Sequence, residues 1–221
     1  MISKNNKYYN KIVKKPWGSE YLIYENSKIA AWLLNISYKK KTSLHCHPLK
    51  KTGFILLKGS VEVNLGFYQK KRLMGLNKVM IRPGLFHSTK SLSRNGATVI
   101  EIETPSKKND LIRFKDSYGR EKKPYENLKS MLPLNKTHLK IKKDSENFTF
   151  DKRKFKIKKY TKISRNSLSN NKVIYAILDG GLGQNSKNLV LAPGDIVRSD
   201  TIRKLSKSFK PAPTITVLTI S

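Results

Sequence analysis

The stretch GFILLKGSVEVNLGFY, residues 53–68, decides the fold class. It holds two short apolar runs broken at Gly59, rich in Val, Ile, Leu and aromatic residues, and close to apolar–polar alternation. A strand points successive side chains to opposite faces, so a period of two marks a half-buried strand. Similar runs lie on both sides: YLIYE (21–25), AAWLLNIS (30–37), KVMIRP (78–83) and ATVIEIE (97–103). Gly, Pro, Asn and Ser punctuate them, and no long stretch holds a clean helical period. Short strands with close turn signals predict antiparallel sheets closed into a sandwich or barrel, not βαβ units.

From residue 126 to 147 the chain is rich in Lys, Asn and Ser with isolated Leu and Met, which reads as a connector. A short helix is expected within it at Glu126–Met131. A second β-rich segment follows: FTFDKRKFKIKKYTKI (148–163), KVIYAILDGG (172–181), NLVLAPGDIVRSD (188–200) and TITVLTIS (214–221). The two halves behave as weak internal repeats. Leu57-Lys58-Gly59 corresponds to Leu178-Asp179-Gly180, and Lys78-Val79-Met80 to Ile196-Val197-Arg198. The expectation is an all-β chain of two small β-barrels of jelly-roll type, 1–125 and 148–221, joined by 126–147.

The chain has 221 residues, 38% of them hydrophobic, which suffices for a buried core. No apolar run reaches the roughly 18 residues of a membrane helix. The first 25 residues start basic but have no apolar h-region, so no secretory leader is expected. A single cysteine, Cys46, rules out an internal disulfide framework and a Cys-rich zinc site. The expected location is cytoplasmic. Lys and Arg number 46 against 15 Asp and Glu, a net charge of +31. The cations are spread along the whole chain, and no zinc finger, RNP signature or GXXG loop accompanies them. The charge is therefore read as favouring small anionic ligands rather than a specific nucleic acid or a membrane.

Of four histidines, His45, His47 and His87 carry the chemistry. On a strand, the spacing in SLHCHP puts His45 and His47 on one face and Cys46 on the other. In IRPGLFH, Pro83-Gly84 makes a tight reversal that can bring His87 back beside them. Three neutral imidazoles can hold one divalent ion, zinc first, with iron, manganese or nickel as alternatives, and leave open positions for substrate.

The segments TSLHCHPLKKTGFILLKG and IRPGLFH resemble the two motifs of the cupin superfamily. KPWGSEYLIYE (15–25), VIEIETP (99–105) and DLIRFKDSYGR (110–120) further resemble the cupin domain of type II mannose-6-phosphate isomerases, over about residues 14–121. The resemblance implies a small metal-binding barrel and a sugar-phosphate or nucleotide-sugar substrate in surface-polysaccharide metabolism. The family's ligands are Gln, His, Glu and His. Here they fall on His45, His47, Thr52 and His87, so one ligand is exchanged and the carboxylate is absent. Thr52 is not expected to be a direct ligand, and little turnover of mannose 6-phosphate itself is expected. In the second half the last ligand position falls on Leu205, which implies a degenerate copy without metal.

Other candidates surround these histidines. Glu101 alternates with Ile100 and Ile102, and as a buried carboxylate near a metal it would be the general base. Lys50 is a candidate phosphate ligand or acid/base. Arg113 is expected to hold a phosphate or carboxylate, because its guanidinium fork matches either anion. Arg82 and Arg120 are further anion candidates, and Trp17 could stack on a sugar ring. The leading reading is an isomerase- or epimerase-type enzyme. The alternatives are a three-histidine dioxygenase and a non-catalytic bicupin that binds a sugar or anion. A homodimer is compatible with any of these.

Overall fold

The computed structural model describes residues 6–121, 131–141, 147–163, 168 and 172–221. The chain divides into two compact units, residues 1–141 and 142–221.

The first unit is built of β1 (Lys11–Lys15), β2 (Gly18–Glu25), β3 (Ala30–Ile36), β4 (Leu44–Cys46), β5 (Lys51–Lys58), β6 (Ser60–Leu65), β7 (Gln69–Met74), β8 (Asn77–Ile81), β9 (His87–Ser91), β10 (Ala97–Thr104), β11 (Ile112–Lys115) and β12 (Met131–Pro133). One sheet has the order β12-β1-β2-β3-β10-β5-β8, the other β11-β4-β9-β6-β7. The eight strands β3 to β10 form nested antiparallel pairs, and successive pairs fall in opposite sheets: β3 with β10, β4 with β9, β5 with β8 and β6 with β7. A hairpin folded over twice in this way is the jelly roll. Its interior is filled from both sheets by Trp32, Leu34, Phe54, Leu56, Val61 and Val63, all buried. Those positions alternate along β3, β5 and β6, as the period of two predicts.

Residues 131–141, expected to be connector, belong to this unit. Met131, expected to end a helix, instead opens β12, which pairs with β1 from Val13↔Met131 to Lys11↔Pro133. Leu139 N–H donates to the Tyr21 hydroxyl, and Ile141 N–H to the Ile23 carbonyl. The Leu139 and Ile141 side chains are buried, so the isolated apolar residues of a lysine-rich stretch are anchors rather than spacers. The remainder of the expected helix, 126–130, lies outside the described residues.

The second unit holds β13 (Phe148–Phe150), β14 (Arg153–Tyr160), β15 (Ile174–Gly183), β16 (Leu189–Leu191), β17 (Ile196–Arg198), α1 (Ser199–Leu205) and β18 (Lys210–Ile220). These form one six-stranded sheet in which β14, β18, β15 and β17 are successive neighbours. That is the order of β3, β10, β5 and β8. The correspondence extends to single residues. In β5 the register against β10 slips so that Lys58 faces Thr98 and Leu56 faces Val99. In β15 the same slip puts Asp179 opposite Thr216 and Ile177 opposite Val217. Gly59 and Gly180 follow these bulges, with φ of 80° and 60°. Both backbones pass close to a carbonyl, where only glycine fits. A β-carbon would lie 2.5 Å from Gly96 O in the first case and 1.9 Å from Thr214 O in the second. The two strand orders part after β8 and β17. Where β8 is followed by β9 and His87, β17 is followed by helix α1, whose last residue is Leu205.

Candidate metal centre

His45 on β4 lies directly opposite His87 on β9. His47 follows two residues after His45, and the three ring centroids stand 4.4, 5.0 and 5.5 Å apart. The turn that returns His87 is set by its own residues. Leu85 N–H bonds to Arg82 O at 3.3 Å, with Pro83 and Gly84 at the two central positions. Gly84 has φ of 73°, the conformation the second central position of a type II turn requires. Gly84 N–H also donates to His47 O at 2.8 Å, which ties the turn to the first histidine pair.

Each imidazole is oriented through Nδ1. His45 Nδ1–H donates to Ser43 O at 2.8 Å and His87 Nδ1–H to Leu85 O at 2.9 Å. His47 Nδ1–H donates to the Asp110 carbonyl. A ring whose Nδ1 carries the proton presents the Nε2 lone pair, the form a metal ligand takes. Nε2 of His47 and of His87 is buried with no hydrogen-bond partner. The three histidines offer ligand atoms within 4.8 Å of one another. Burial, then the neighbouring imidazoles, hold His45 well below its ordinary pKa. His47 and His87 are pushed down to about 4, again chiefly by burial. All three are thus neutral at neutral pH, the state a metal requires. The residues fit a divalent ion.

The other sheet supplies carboxylates. In β10, Glu101 and Glu103 share a face with Val99 of the core, while Ile100 and Ile102 take the other. Glu101 stands opposite Trp32 on one side and Phe54 on the other. Burial, then the Glu103 charge, raise the Glu101 pKa far above the carboxylate range. Burial would raise Glu103 too, but the Lys108 and Lys50 cations outweigh it and hold this group ionised. Two buried carboxyls side by side cannot both ionise cheaply, so they divide the proton unequally.

Lys50 is fully buried and its Nζ sits 2.6 Å from Glu103 Oε1. It is committed to that partner and does not line the pocket. Lys108 pairs with Glu20 at 2.9 Å and lies 3.6 Å from the centre of the Trp32 ring.

The pocket reaching the histidines contains about 530 Å³ of empty space, its open mouth included. Glu101, Glu103, His45, His47, Arg113, Arg120 and Trp17 all line it. Arg113 faces His45 across the β11–β4 pair. Arg120 grips Asp116 through Nε at 3.0 Å and Nη2 at 2.8 Å, which fixes it as a wall of the pocket. Trp17 is buried in the core cluster as well as lining the pocket. Arg82 stands apart. It is exposed, bonds the adjacent Pro83 O at 3.4 Å and does not line the pocket, since the turn that returns His87 points it outward.

Glu103, Lys108, Glu20 and Lys15 line the site and were not among the residues singled out from the sequence. Glu103 had a visible signal, the two-residue spacing of VIEIE. Glu20 and Lys108 are far apart in sequence and carried none.

No family model matches the chain, and no curated protein does. Several solved structures align with it over less than half of its length. KdgF from Halomonas sp. matches with a TM-score of 0.40 and 17% identity, covering 42% of this chain and 84% of that one. A double-stranded β-helix protein from Klebsiella pneumoniae gives 0.40 and 13%, covering 44% and 84%. A cupin-2 domain protein from Rhodospirillum rubrum gives 0.37 and 11%, covering 40% and 60%. The strand order carries the fold. No helix among the described residues is long and apolar enough to cross a membrane.

Proposed function

We propose that this chain is a metal-dependent cupin-type enzyme of the isomerase or epimerase class, acting on a phosphorylated or nucleotide-linked sugar. One observation carries the reading: a buried Glu101, its pKa raised to about 8 by burial, and the oriented imidazoles of His45 and His47 line one pocket together with Arg113. A divalent ion on His45, His47 and His87 would polarise adjacent sugar oxygens. Glu101 has its proton affinity raised toward neutrality, which suits it to take a proton from one carbon and return it to the next. Arg113 would hold the anionic group of the substrate at the mouth, with Arg120 as a fixed cationic wall. Trp17, Leu34, Phe54 and Leu111 line the same pocket and keep the reacting carbons in an apolar setting. The copy in residues 142–221 contains no histidine and is assigned a structural role. We assign the work to the cytoplasm, without nucleic acid or membrane.

The test combines elemental analysis with exchange chemistry. The purified protein is expected to hold one divalent ion per chain. A panel of sugar phosphates and nucleotide sugars in deuterated water is expected to take up deuterium beside the carbonyl carbon. Glu101→Gln should stop that exchange while leaving metal bound. Iron with oxygen uptake would instead indicate the dioxygenase reading. Bound metal with no exchange on any sugar would overturn the catalytic reading.

A further inference from the structure

The carboxylate absent at position 52 has a counterpart on the neighbouring strand. Thr52 on β5 lies directly opposite Glu103 on β10, so the two side chains share the barrel face. Thr52 is 1% exposed, and its Oγ1 is buried with no partner. Glu103 is 2% exposed, and its two oxygens are in different situations. Oε1 accepts from Lys50 Nζ at 2.6 Å. Oε2 is buried with no hydrogen-bond partner. His47, Glu101 and Glu103 form a second set whose ligand atoms lie within 4.8 Å of one another. His47 is therefore common to the imidazole triad and to this carboxylate pair.

Leaving a carboxylate oxygen dry costs free energy unless something else uses it. Ligating carboxylates are themselves held by a hydrogen bond from behind, and Lys50 stands in that relation to Glu103. Of the pair, Glu103 is the one that stands opposite Thr52 and is held from behind by Lys50 Nζ at 2.6 Å, with its other oxygen buried and unpartnered.

We infer that Glu103 supplies the anionic member of the metal centre, in place of a carboxylate at position 52, with Lys50 as its positioning residue. The inference rests on the metal-binding reading above and deepens it. It separates the two glutamates by role: Glu103 serves the metal, and Glu101 serves the substrate. It also explains a fully buried lysine beside a metal site, because Lys50 restrains the carboxylate rather than opposing the ion.

Titration of metal-free protein with Zn2+ and with Co2+ tests this, with affinity from calorimetry and the visible Co2+ spectrum as a second readout. Glu103→Gln should weaken both metals about 10- to 100-fold, the range for groups that support a metal site. Glu101→Gln should change affinity less than about threefold, well short of that range. Because Glu103→Gln alone leaves Lys50 buried and unpaired, Lys50→Met/Glu103→Gln is the better-folded test and should show the same weakening. Adding Thr52→Glu to that double variant should restore the affinity and alter the Co2+ spectrum. Unchanged affinity in both the single and the double Glu103→Gln variants, or no rescue by Thr52→Glu, overturns the inference while wild-type binding stands. Absence of stoichiometric Zn2+ and Co2+ binding in the wild type would overturn the metal-binding reading itself.

Discussion

Asp110 holds His47 through its backbone and the loop before β5 through its side chain. Its carbonyl accepts from His47 Nδ1, and its carboxylate accepts the N–H groups of Leu49 and Lys50 at 3.0 and 2.9 Å. One residue thus fixes the tautomer of a proposed metal ligand and clamps the segment leading to the Lys50–Glu103 pair. Asp110→Ala keeps the carbonyl but frees the loop. It should weaken Zn2+ affinity by about tenfold, the low end for such supporting contacts. Asp110→Asn, which keeps one acceptor, should lose less. Calorimetric titration of the three proteins checks the order.

Much of this site was legible in the sequence for a geometric reason. His45, His47 and His87 sit on or beside strands, where alternation converts spacing directly into facing. Gly84 in a Pro-Gly turn announced the reversal that returns His87. Glu101 followed from the same alternation. Sequence could not show that Lys50 would turn inward to Glu103, because their contact depends on the β5–β10 register across 53 residues. The outward position of Arg82 was hidden for a related reason, since a turn residue has no alternation to fix its side. The extent of the first unit was hidden at Met131 to Ile141. There, composition suggested a connector, while three backbone pairings and two buried side chains make it structure.

The register repeat makes a stability prediction. Gly180 has φ of 60° and its missing β-carbon would sit 1.9 Å from the Thr214 carbonyl oxygen. Gly180→Ala must therefore shift backbone and adopt a strained φ, at a cost of about 1–3 kcal/mol. Gly59→Ala should behave likewise in the first unit. Gly75→Ala has a similar positive φ but nothing within 4 Å, so it should cost less. Urea unfolding of the three variants gives the ranking.

Lys50 and Glu103 are both buried, so removing one charge should hurt more than removing both. Lys50→Met leaves an unpaired buried carboxylate and should destabilise by about 3–5 kcal/mol. Lys50→Met/Glu103→Gln should recover most of that loss. A double-mutant cycle by urea unfolding of the metal-free protein measures the coupling. A double-variant loss equal to the sum of the Lys50→Met and Glu103→Gln losses would show that the pair is not coupled.

The metal-free protein should be most stable near pH 6.5. His47 and His87 have folded pKa values near 4, below the ordinary 6.5, and His45 is lowered as well. Between about pH 4 and 6.5 the unfolded chain binds more protons at these rings, so stability rises with pH there. Glu101 acts oppositely. Its folded pKa is raised, so its contribution is complete below its ordinary 4.5 and is lost as pH climbs toward the raised value. Below pH 6.5 three imidazoles oppose one carboxyl, and the net slope is upward. Above it the imidazoles are neutral in both states, and the Glu101 loss is left to act. Each of His47 and His87 is worth roughly 3 kcal/mol over its window, at about 1.4 kcal/mol per pKa unit. Thermal unfolding from pH 4 to 8 should therefore trace a peak. Glu101→Gln should flatten the alkaline side and steepen the rise between about pH 4.5 and 6.5, where the carboxyl had opposed the imidazoles. Saturating Zn2+ should steepen the acid side, because protons and metal compete for the same Nε2 atoms. A midpoint that stays level from pH 4 to 6.5 would mean the three imidazoles are not buried together as described.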